Sequence, residues 1–430
     1  MAPLPSASPV VTAIGAPWDD LRAIAGAEHL RAAGADDSVA GVQPQMILEP
    51  SREKELAAAL RCATDAGLSV LPRGGGTKAA WGNPPVRADL ILSTARLNRV
   101  IEHAWADLTV SVEAGCTIEK LQNVLAENGQ HIALDPLWPE RATVGGVLST
   151  NDSGTLRIRY GALRDLIIGV TIALPDGTLA SSGGKVVKNV AGYDLPKLAI
   201  GALGTLGVIT RANFRLHPLP RSVRSLTFAA RGLDDANRMV LAVQDSRLAH
   251  TGLQARFTAG ATPAVDVRFE GTDAGLAAQE EALRKLAASA IETVTGETVW
   301  QARQKLWYSA DSAAIVKFSV LPASVAKTCD RISHLADSLG VRWSAVVQGT
   351  GLGWLRVEAS SAPAIHQVLH TLRPELEQLG GSLVVLQRPA AMPAIDAWGR
   401  SGGAFPVMLS VKRQFDSRGA LNPGRFIGGI

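Results

Sequence analysis

Three successive glycines follow a short apolar run early in the chain, in the segment Leu71-Pro-Arg-Gly-Gly-Gly-Thr-Lys78. Because glycine adopts backbone conformations closed to other residues, such a loop can turn several N–H groups toward one point. Backbone nests of this kind bind anions, and a diphosphate is the usual biological anion. The alternative is a tight loop without function, and three glycines alone leave both interpretations open. The spacing excludes a nucleotide-triphosphatase loop, in which Gly-Lys precedes Ser or Thr, and no GxGxxG opens a helix here.

Two further segments combine small residues with hydroxyl and amide side chains. The first is Thr143-Val-Gly-Gly-Val-Leu-Ser-Thr-Asn-Asp-Ser-Gly154, which Arg159-Tyr-Gly161 follows. The second contains Lys188-Asn-Val-Ala-Gly-Tyr-Asp194 and Gly201-Ala-Leu-Gly-Thr-Leu-Gly-Val-Ile-Thr210. Small residues allow a wall to lie flat against a ligand, while the polar side chains offer hydrogen bonds. For the second segment, close helix–strand packing is an equally good explanation of the glycines.

Together, in this order and spacing, the three segments resemble the flavin-binding domain of the vanillyl-alcohol oxidase/p-cresol methylhydroxylase family. The resemblance runs from about Gln45 to Leu219, with a weaker echo at Asn422-Pro-Gly-Arg425. It implies an α+β protein, with a two-part FAD-binding domain of that type and an α+β cap domain. The cofactor-binding residues that it implies are Pro72, Arg73, Gly74, Gly75, Gly76, Thr77, Pro136, Thr143, Val144, Gly145, Gly146, Ser149, Asn151, Gly154, Tyr160, Gly207, Val208, Ile209, Asn422 and Arg425.

The resemblance also implies how the FAD is attached. Covalently flavinylated members often carry His where this chain has Thr77, and a cysteine-linked attachment occurs at the position aligned with Arg141. Since neither nucleophile is present, the implied FAD is non-covalent.

The chain length, the second domain and the Asn-Pro-Gly-Arg segment resemble the 2-hydroxyacid dehydrogenase branch of this family. Many members of that branch hold a divalent metal with a His-x-Gly-Asp-Gly-Asn-x-His motif. The comparable stretch here, Gly349-Thr-Gly-Leu-Gly-Trp-Leu-Arg356, contains neither imidazole nor carboxylate, so no metal site is expected. This departure is similar to the FAD-binding E-type subunits of bacterial glycolate oxidases. That similarity implies a catalytic D-type flavoprotein subunit and an iron–sulfur subunit as partners, and a small 2-hydroxy acid as substrate of the complex.

Three roles for the chain stay open. In the first role, its flavin accepts or relays electrons beside a catalytic paralogue. In the second, the chain is an assembly subunit that FAD only stabilises. In the third, it is a stand-alone, metal-free 2-hydroxyacid dehydrogenase. Arg356 is then the candidate for binding the substrate carboxylate through its bidentate fork, with Tyr193 or Lys188 near the flavin ring.

Composition sets wider limits on the class of protein. The 430 residues are 47% hydrophobic and carry a formal net charge of +4, which excludes a disordered chain. Scattered rather than clustered charges argue against nucleic-acid binding. Three distant cysteines exclude a disulfide scaffold and a cysteine-ligated iron–sulfur cluster. Neither a membrane-spanning apolar stretch nor a secretory signal is seen, which predicts a cytoplasmic protein whose only membrane association would be at the inner face, through partners.

Apolar periodicity and turn residues predict the elements that position these segments. Four parts are expected: an N-terminal arm or helix (1–44), the FAD-binding domain (45–220), the cap domain (221–408) and a C-terminal segment that returns to the FAD domain (409–430). The arm is expected to hold one helix from Trp18 to about Ala33. Two strand–helix–strand units, at 46–71 and 108–134, favour parallel pairing. Four tryptophans of the cap domain, at 300, 307, 343 and 354, are expected either in the core or on a substrate or partner surface.

Overall fold

The structure is a computed structural model that describes residues 16–184, 194–287, 291–294 and 296–430. As far as residue 218 the strands are β1 Leu30–Ala32, β2 Met46–Leu48, β3 Val70–Arg73, β4 Leu90–Ser93, β5 Val100–Ala104, β6 Thr109–Glu113, β7 Gln130–His131, β8 Ile167–Ala173, β9 Leu179–Gly183, β10 Val208–Arg215 and β11 His217–Pro218. The helices of this part are α1 Ala16–Ala25, α2 Glu53–Asp65, α3 Ile118–Ala126, α4 Val144–Thr150, α5 Arg157–Tyr160, α6 Leu163–Leu166 and α7 Leu195–Ala199.

The first sheet has the strand order β1-β2-β4-β3, and β2, β4 and β3 run parallel. The parallel strand–helix–strand unit predicted at 46–71 is therefore confirmed, although β4 lies between its two strands. Helix α2 covers the sheet because Leu56, Leu60 and Ala63 recur at helical spacing and are fully buried. The helix predicted from Trp18 to Ala33 is too long: α1 ends at Ala25, before Gly26 at φ +96°, and the chain then enters β1 of this sheet.

The second sheet has the order β5-β6-β10-β8-β9 and is antiparallel throughout. The predicted parallel unit at 108–134 is wrong, because β7 pairs with β11 in a separate two-stranded sheet instead of with β6. Residues 208–215 form the single strand β10, with a bulge between Ile209 and Arg211. Helices α3 and α4 pack on this sheet and bring the segment after Thr143 next to β3.

Beyond residue 218 the chain builds one large sheet. Its strands are β12 Ser222–Ala229, β13 His250–Thr258, β14 Ala264–Gly271, β15 Ile291–Val294, β16 Ala313–Ser319, β17 Arg342–Gln348, β18 Leu352–Glu358 and β19 Ser382–Gln387. Its helices are α8 Leu233–Asp245, α9 Asp273–Leu286, α10 Ala302–Lys305, α11 Val325–Leu339 and α12 Ala362–Gln378. The sheet is antiparallel with the order β15-β12-β14-β13-β17-β18-β16-β19.

The two faces of this sheet differ in chemistry, because side chains alternate along each strand. One face is apolar and packs on the long helices of the cap; Val316, Phe318 and Leu355 belong to that core. The other face carries polar residues and lies against the first half of the molecule. There Trp354 of β18 packs with Trp81 of the first half. The cap thus presents a strand-built wall of mixed polar and apolar side chains to the domain that carries the glycine loop.

The last helix, α13 Phe405–Phe415, leads the chain back to the first sheet. Val70 N donates to Ala420 O and Asn422 N donates to Val70 O, so the C-terminal segment adds a parallel bridge beside β3. Lys412 Nζ secures the turn with bonds to the carbonyl of Thr205 and to the carboxylate of Asp416, 2.8 and 2.6 Å long. Asn422 and Arg425 consequently sit beside the loop that follows β3.

Candidate functional site

A cleft of about 850 Å³ separates the glycine loop, the start of α4 and the C-terminal segment. Most residues that the sequence assigned to a cofactor line it, namely Pro72, Arg73, Gly74, Gly75, Gly76, Thr77, Thr143, Gly145, Gly146, Ser149, Gly207, Val208, Ile209, Asn422 and Arg425. Sequence reasoning missed other lining residues, namely Val39, Leu71, Lys78, Ala79, Ile91, Thr94, Thr150, Leu203 and Gly204. Several of these are ordinary strand or loop residues, for which no sequence signal exists.

The glycine loop lies directly against the segment that precedes α4. A Cβ atom on Gly74 would lie 2.0 Å from Thr143 Oγ1, and one on Gly75 would lie 1.8 Å from Arg141 O. Gly76 has a φ of +70°. The backbone N–H groups of residues 74–78 donate to no acceptor within the ranges that the structure describes. Unpaired amides gathered at one cleft wall are a binding site for an anionic group.

The C-terminal segment supplies two more groups that fit such an anion-bearing ligand. Arg425 is buried and donates to the backbone carbonyls of Ala79 and Trp81, and it forms no ion pair with a carboxylate of the described residues. Burial lowers the pKa of Arg425 to about 10. Asn422 is also buried, and its Oδ1 has no hydrogen-bond partner among the described residues. An uncompensated guanidinium and an unused acceptor both indicate a cleft built around a polar, negatively charged ligand.

Three predicted contact residues line neither this cleft nor the other cavity described below. Val144 is buried in the core beneath the second sheet. Asn151 ends α4 with a left-handed φ of 49°. Tyr160 donates from its hydroxyl to Glu270 Oε2 over 2.6 Å, and it joins α5 to the cap. These three residues therefore lie outside both cavities and contribute to the packing around the cleft segments.

A second cavity, of about 1150 Å³, lies between the two halves. Its lining residues are Ile118, Glu119, Gln122, Asn123, Leu134, Asp135, Pro136, Leu137, Pro139, Gly154, Thr155, Gln254, Arg268, Trp300, Gln301, Arg303, Gln304, Val346, Gln348 and Trp354. The predicted residues Pro136 and Gly154 belong here. Gly154 has no room for a side chain, because a Cβ would lie 2.2 Å from the Asp135 carboxylate. That carboxylate accepts hydrogen bonds from the backbone N–H groups of Gly154 and Thr155.

A buried charge triad connects the cleft with this cavity. Lys78, on the cleft wall, lies 3.2 Å from Asp152 Oδ2, and Arg303, on the cavity wall, lies 2.7 Å from Asp152 Oδ1. Burial alone raises the pKa of Asp152, but the charges of Arg303 and Lys78 outweigh it and hold that pKa below its usual value. Burial lowers the pKa of Lys78. Because Arg303 comes from the cap, the triad also ties the two halves together.

A further cation stands next to Trp354. The Lys317 ammonium lies 5.9 Å from the indole centroid, and the Arg303 guanidinium lies 4.7 Å from it. Burial lowers the pKa of Lys317 to about 8.

Of the three candidate catalytic residues, the structure describes only Arg356. Each N–H of the Arg356 guanidinium has an acceptor: Nη1 donates to Leu306 O and Tyr308 O, and Nη2 to Ser309 O, while Nε and Nη2 share Glu358. This fork holds the loop at 306–309, which leaves no N–H for a substrate carboxylate. The other two candidates, Lys188 and Tyr193, lie outside the described residues.

The stretch compared with the metal motif forms the β17–β18 turn and the first part of β18. Its glycines serve packing, since a Cβ on Gly351 would lie 2.0 Å from Val320 O and one on Gly353 would lie 2.3 Å from the Phe318 ring. Within the described ranges, no three His, Cys, Asp or Glu side chains come together as metal ligands would.

The comparisons with known proteins agree with the cleft. Residues 44–183 match the model of an FAD-binding domain. Glycolate oxidase subunit GlcD of Bacillus subtilis is 30% identical over 197 residues, which is 46% of this chain and 42% of that protein. D-lactate dehydrogenase of Archaeoglobus fulgidus is 34% identical over 199 residues, 46% and 44% of the two chains. These alignments therefore span less than half of either relative.

Two comparisons extend over nearly the whole chain. D-2-hydroxyglutarate dehydrogenase of Xanthomonas citri pv. viticola is 27% identical and aligns along 89% of both chains. Among solved structures, p-cresol methylhydroxylase superposes with a TM-score of 0.78 at 13% identity, covering 95% of this chain and 96% of that one. The predicted two-part FAD-binding fold with an α+β cap is thereby confirmed.

FAD is the cofactor of this protein, and the residues of the first cleft fit it. The unpaired amides after Arg73 and the uncompensated charge of Arg425 suit its diphosphate, while Thr77 and Arg141 offer no covalent attachment. The expected non-covalent binding is consistent with these residues. No helix among the described residues combines the length and apolar character needed to cross a bilayer.

Proposed function

We propose that this protein is the FAD-binding E-type subunit of a glycolate (2-hydroxyacid) oxidase or dehydrogenase complex. It works beside a catalytic D-type flavoprotein subunit and an iron–sulfur subunit, in the cytoplasm or at the inner face of the membrane. One observation carries the proposal: the FAD cleft has its binding groups in place, whereas the β17–β18 turn holds no side chain that ligates a metal. The relatives named above include a glycolate oxidase subunit and two dehydrogenases of 2-hydroxy acids, which supports this class of reaction.

Bound FAD would supply a flavin that accepts electrons from the catalytic partner and passes them on. The chain's own residues bind and orient this group. The amides of residues 74–78 and Arg425 hold the diphosphate, and Asn422 Oδ1 accepts a hydrogen bond from the ligand. The Lys78–Asp152–Arg303 triad, which is almost entirely buried, excludes water between the cleft and the cavity.

A complex subunit also needs a surface for its partners. The groove between α7 and α13 is apolar, and it is lined by Leu198, Val407 and Met408, whose exposed fractions are 41%, 65% and 37%. Apolar side chains concentrated on one exposed surface are typical of protein–protein contacts. We assign this groove to a partner subunit of the complex.

Anaerobic mixing with glycolate or D-lactate, followed by the flavin absorbance, tests the proposal. The purified chain alone is expected to keep its flavin oxidised, and the same chain co-purified with its partners is expected to have it reduced. Bleaching of the isolated chain would instead make it a stand-alone dehydrogenase. A flavin that stays oxidised even in the active complex would show that FAD only stabilises the subunit and takes no part in electron transfer.

A further inference from the structure

The cavity between the halves contains two buried polar side chains whose hydrogen-bonding groups are unused. Gln348 and Trp354 line this cavity, and only 3% and 1% of their surfaces are exposed. Three side-chain groups have no hydrogen-bond partner in the part of the chain that is described: Oε1 and Nε2 of Gln348 and the indole N–H of Trp354. Burying a polar group without a hydrogen-bond partner costs free energy, so a ligand that supplies the partners is favoured here.

Strand register places the two side chains on the same wall. Val346 of β17 pairs directly with Trp354 of β18, and Gln348 follows two residues further along β17. Side chains two residues apart along a strand share a face, so Gln348 and Trp354 are diagonal neighbours, about 7–8 Å apart at their Cα atoms. Together they offer two kinds of hydrogen-bond donor and one acceptor.

The charges around this wall favour an anion. Arg303 and Lys317 both lie against the Trp354 ring. The buried charged groups that interact with them are the cations Lys78 and Arg157 and the carboxylates Asp135 and Asp152. Of these groups Arg303 and Asp135 line the cavity, as do the exposed Glu119 and Arg268, which is paired with Glu270 at 3.1 Å. Lys317, beside Trp354, forms no ion pair with any described residue. The buried Lys317 ammonium, which has no carboxylate paired with it, attracts a negatively charged ligand to the Trp354 side of this cavity.

We infer that this cavity binds a small 2-hydroxycarboxylate, with Trp354 Nε1 and Gln348 Nε2 donating to its carboxylate and Gln348 Oε1 accepting from its hydroxyl. A carboxylate only accepts hydrogen bonds, whereas a hydroxyl also donates one, so the three atoms match this pair of groups. The inference rests on the proposed function, because it names the residues that recognise the substrate of that reaction without a metal. Trp354 and Gln348 are binding residues and carry no chemical step.

A substrate analogue that cannot react separates binding from catalysis. The probe is 2-hydroxy-2-methylpropanoate, which has no hydrogen on the carbon that bears the hydroxyl and therefore cannot give up a hydride. Isothermal titration calorimetry on the FAD-loaded protein is expected to detect its binding. The matched probes 2-methylpropanoate, without the hydroxyl, and 2-methylpropane-1,2-diol, without the carboxylate, are each expected to bind at least tenfold more weakly.

Two near-isosteric variants assign the site. Trp354→Phe is expected to raise the dissociation constant of the hydroxy acid about tenfold, the effect of one lost hydrogen bond. Gln348→Leu removes two hydrogen bonds and is expected to raise it about a hundredfold. Gln348→Leu is also expected to remove most of the preference for the hydroxy acid over 2-methylpropanoate. Trp343→Phe is the matched control, because Trp343 has an equally unpartnered buried indole N–H in the apolar core on the opposite face of the sheet.

The outcomes distinguish this inference from the proposed function. Unchanged affinity in both Trp354→Phe and Gln348→Leu, with normal FAD content, overturns the inference even where hydroxy acids reduce the flavin of the complex. Absence of any binding by the parent protein overturns it as well. Tight binding of the hydroxy acid that both variants weaken supports the inference. If, in addition, no hydroxy acid reduces the flavin in any assembly, the proposed function is contradicted while the inference stands.

Discussion

Gly75 and Gly76 are neighbours in the loop, yet different physical constraints select glycine at each. At Gly75 a Cβ would collide with the Arg141 carbonyl at 1.8 Å, a backbone atom that cannot turn aside. At Gly76 the nearest atom, Arg73 Cδ, is 3.8 Å away, and the constraint is the φ of +70°. A side chain at Gly75 would therefore push the loop away from the segment that precedes α4, whereas a side chain at Gly76 would only strain the backbone.

Gly75→Ala is therefore expected to displace the loop and abolish FAD retention, as is the bulkier Gly75→Val. Gly76→Ala is expected to cost about 1–2 kcal/mol of backbone strain while FAD is retained. The ratio of flavin to protein after gel filtration measures both variants. A yellow Gly75→Ala protein would show that the loop does not hold the cofactor as described.

The buried ammonium of Lys317 makes stability depend on pH. Its pKa falls from 10.5 to about 8 on folding, so between these pH values the unfolded chain binds more protons, and stability rises with pH across that window. Lys317→Met removes the cost of burying the charge and is expected to raise the free energy of unfolding at pH 7 by about 2–3 kcal/mol. Urea unfolding at a series of pH values measures this. A parent-to-variant difference that stays constant from pH 7 to 10 would contradict it.

Local periodicity revealed most of the elements, and tertiary contacts decided the rest. Regular apolar positions mark the long cap helices: in α12, Ile365, Val368, Leu369, Leu372 and Leu376 recur at helical spacing and are buried. The pairing of β7 with β11 was missed, because residues some eighty positions apart define it. Likewise, motif spacing located the loop and the segment after Thr143, but no local signal could reveal that Arg303 would reach Asp152.

The exposed apolar side of α13 leads to a prediction about assembly. Val407→Asp places a charge in the groove between α7 and α13, where 65% of the Val407 surface is exposed and no core packing is lost. We expect loss of the partner subunits in co-purification, with unchanged FAD content. The matched control is Leu379→Asp, since Leu379 is 59% exposed at the end of α12, away from that groove. Equal loss of partners in both variants, or in neither, would reject this groove as the interface.

Across the whole molecule, few polar contacts join the halves, and the Lys78–Asp152–Arg303 triad is the most deeply buried of those described. The net contribution of the triad to the free energy of unfolding is less than the attraction within two ion pairs, because burying each charge removes its hydration. The triad serves mainly to fix the orientation of the cap on the flavin domain. Tyr160 and Glu270 add a second polar contact between the same halves.

Arg303→Met leaves Asp152 with Lys78 alone and is expected to lower the free energy of unfolding by about 3–5 kcal/mol, as for other broken buried pairs. The double variant Arg303→Met/Asp152→Asn is expected to recover part of that loss, because the stranded charge is gone. Denaturant unfolding of the single and double variants measures the coupling. Strictly additive losses would show that the two residues do not act as a pair.

The bridge between the C-terminal segment and β3 has a consequence for how the protein is made. Translation delivers the glycine loop early, but Asn422 and Arg425 leave the ribosome some 350 residues later. A nascent flavin domain that has already folded still lacks one side of its cleft. We therefore expect cofactor loading to be a late event in biogenesis, and yellow colour to report chains whose synthesis has passed residue 425.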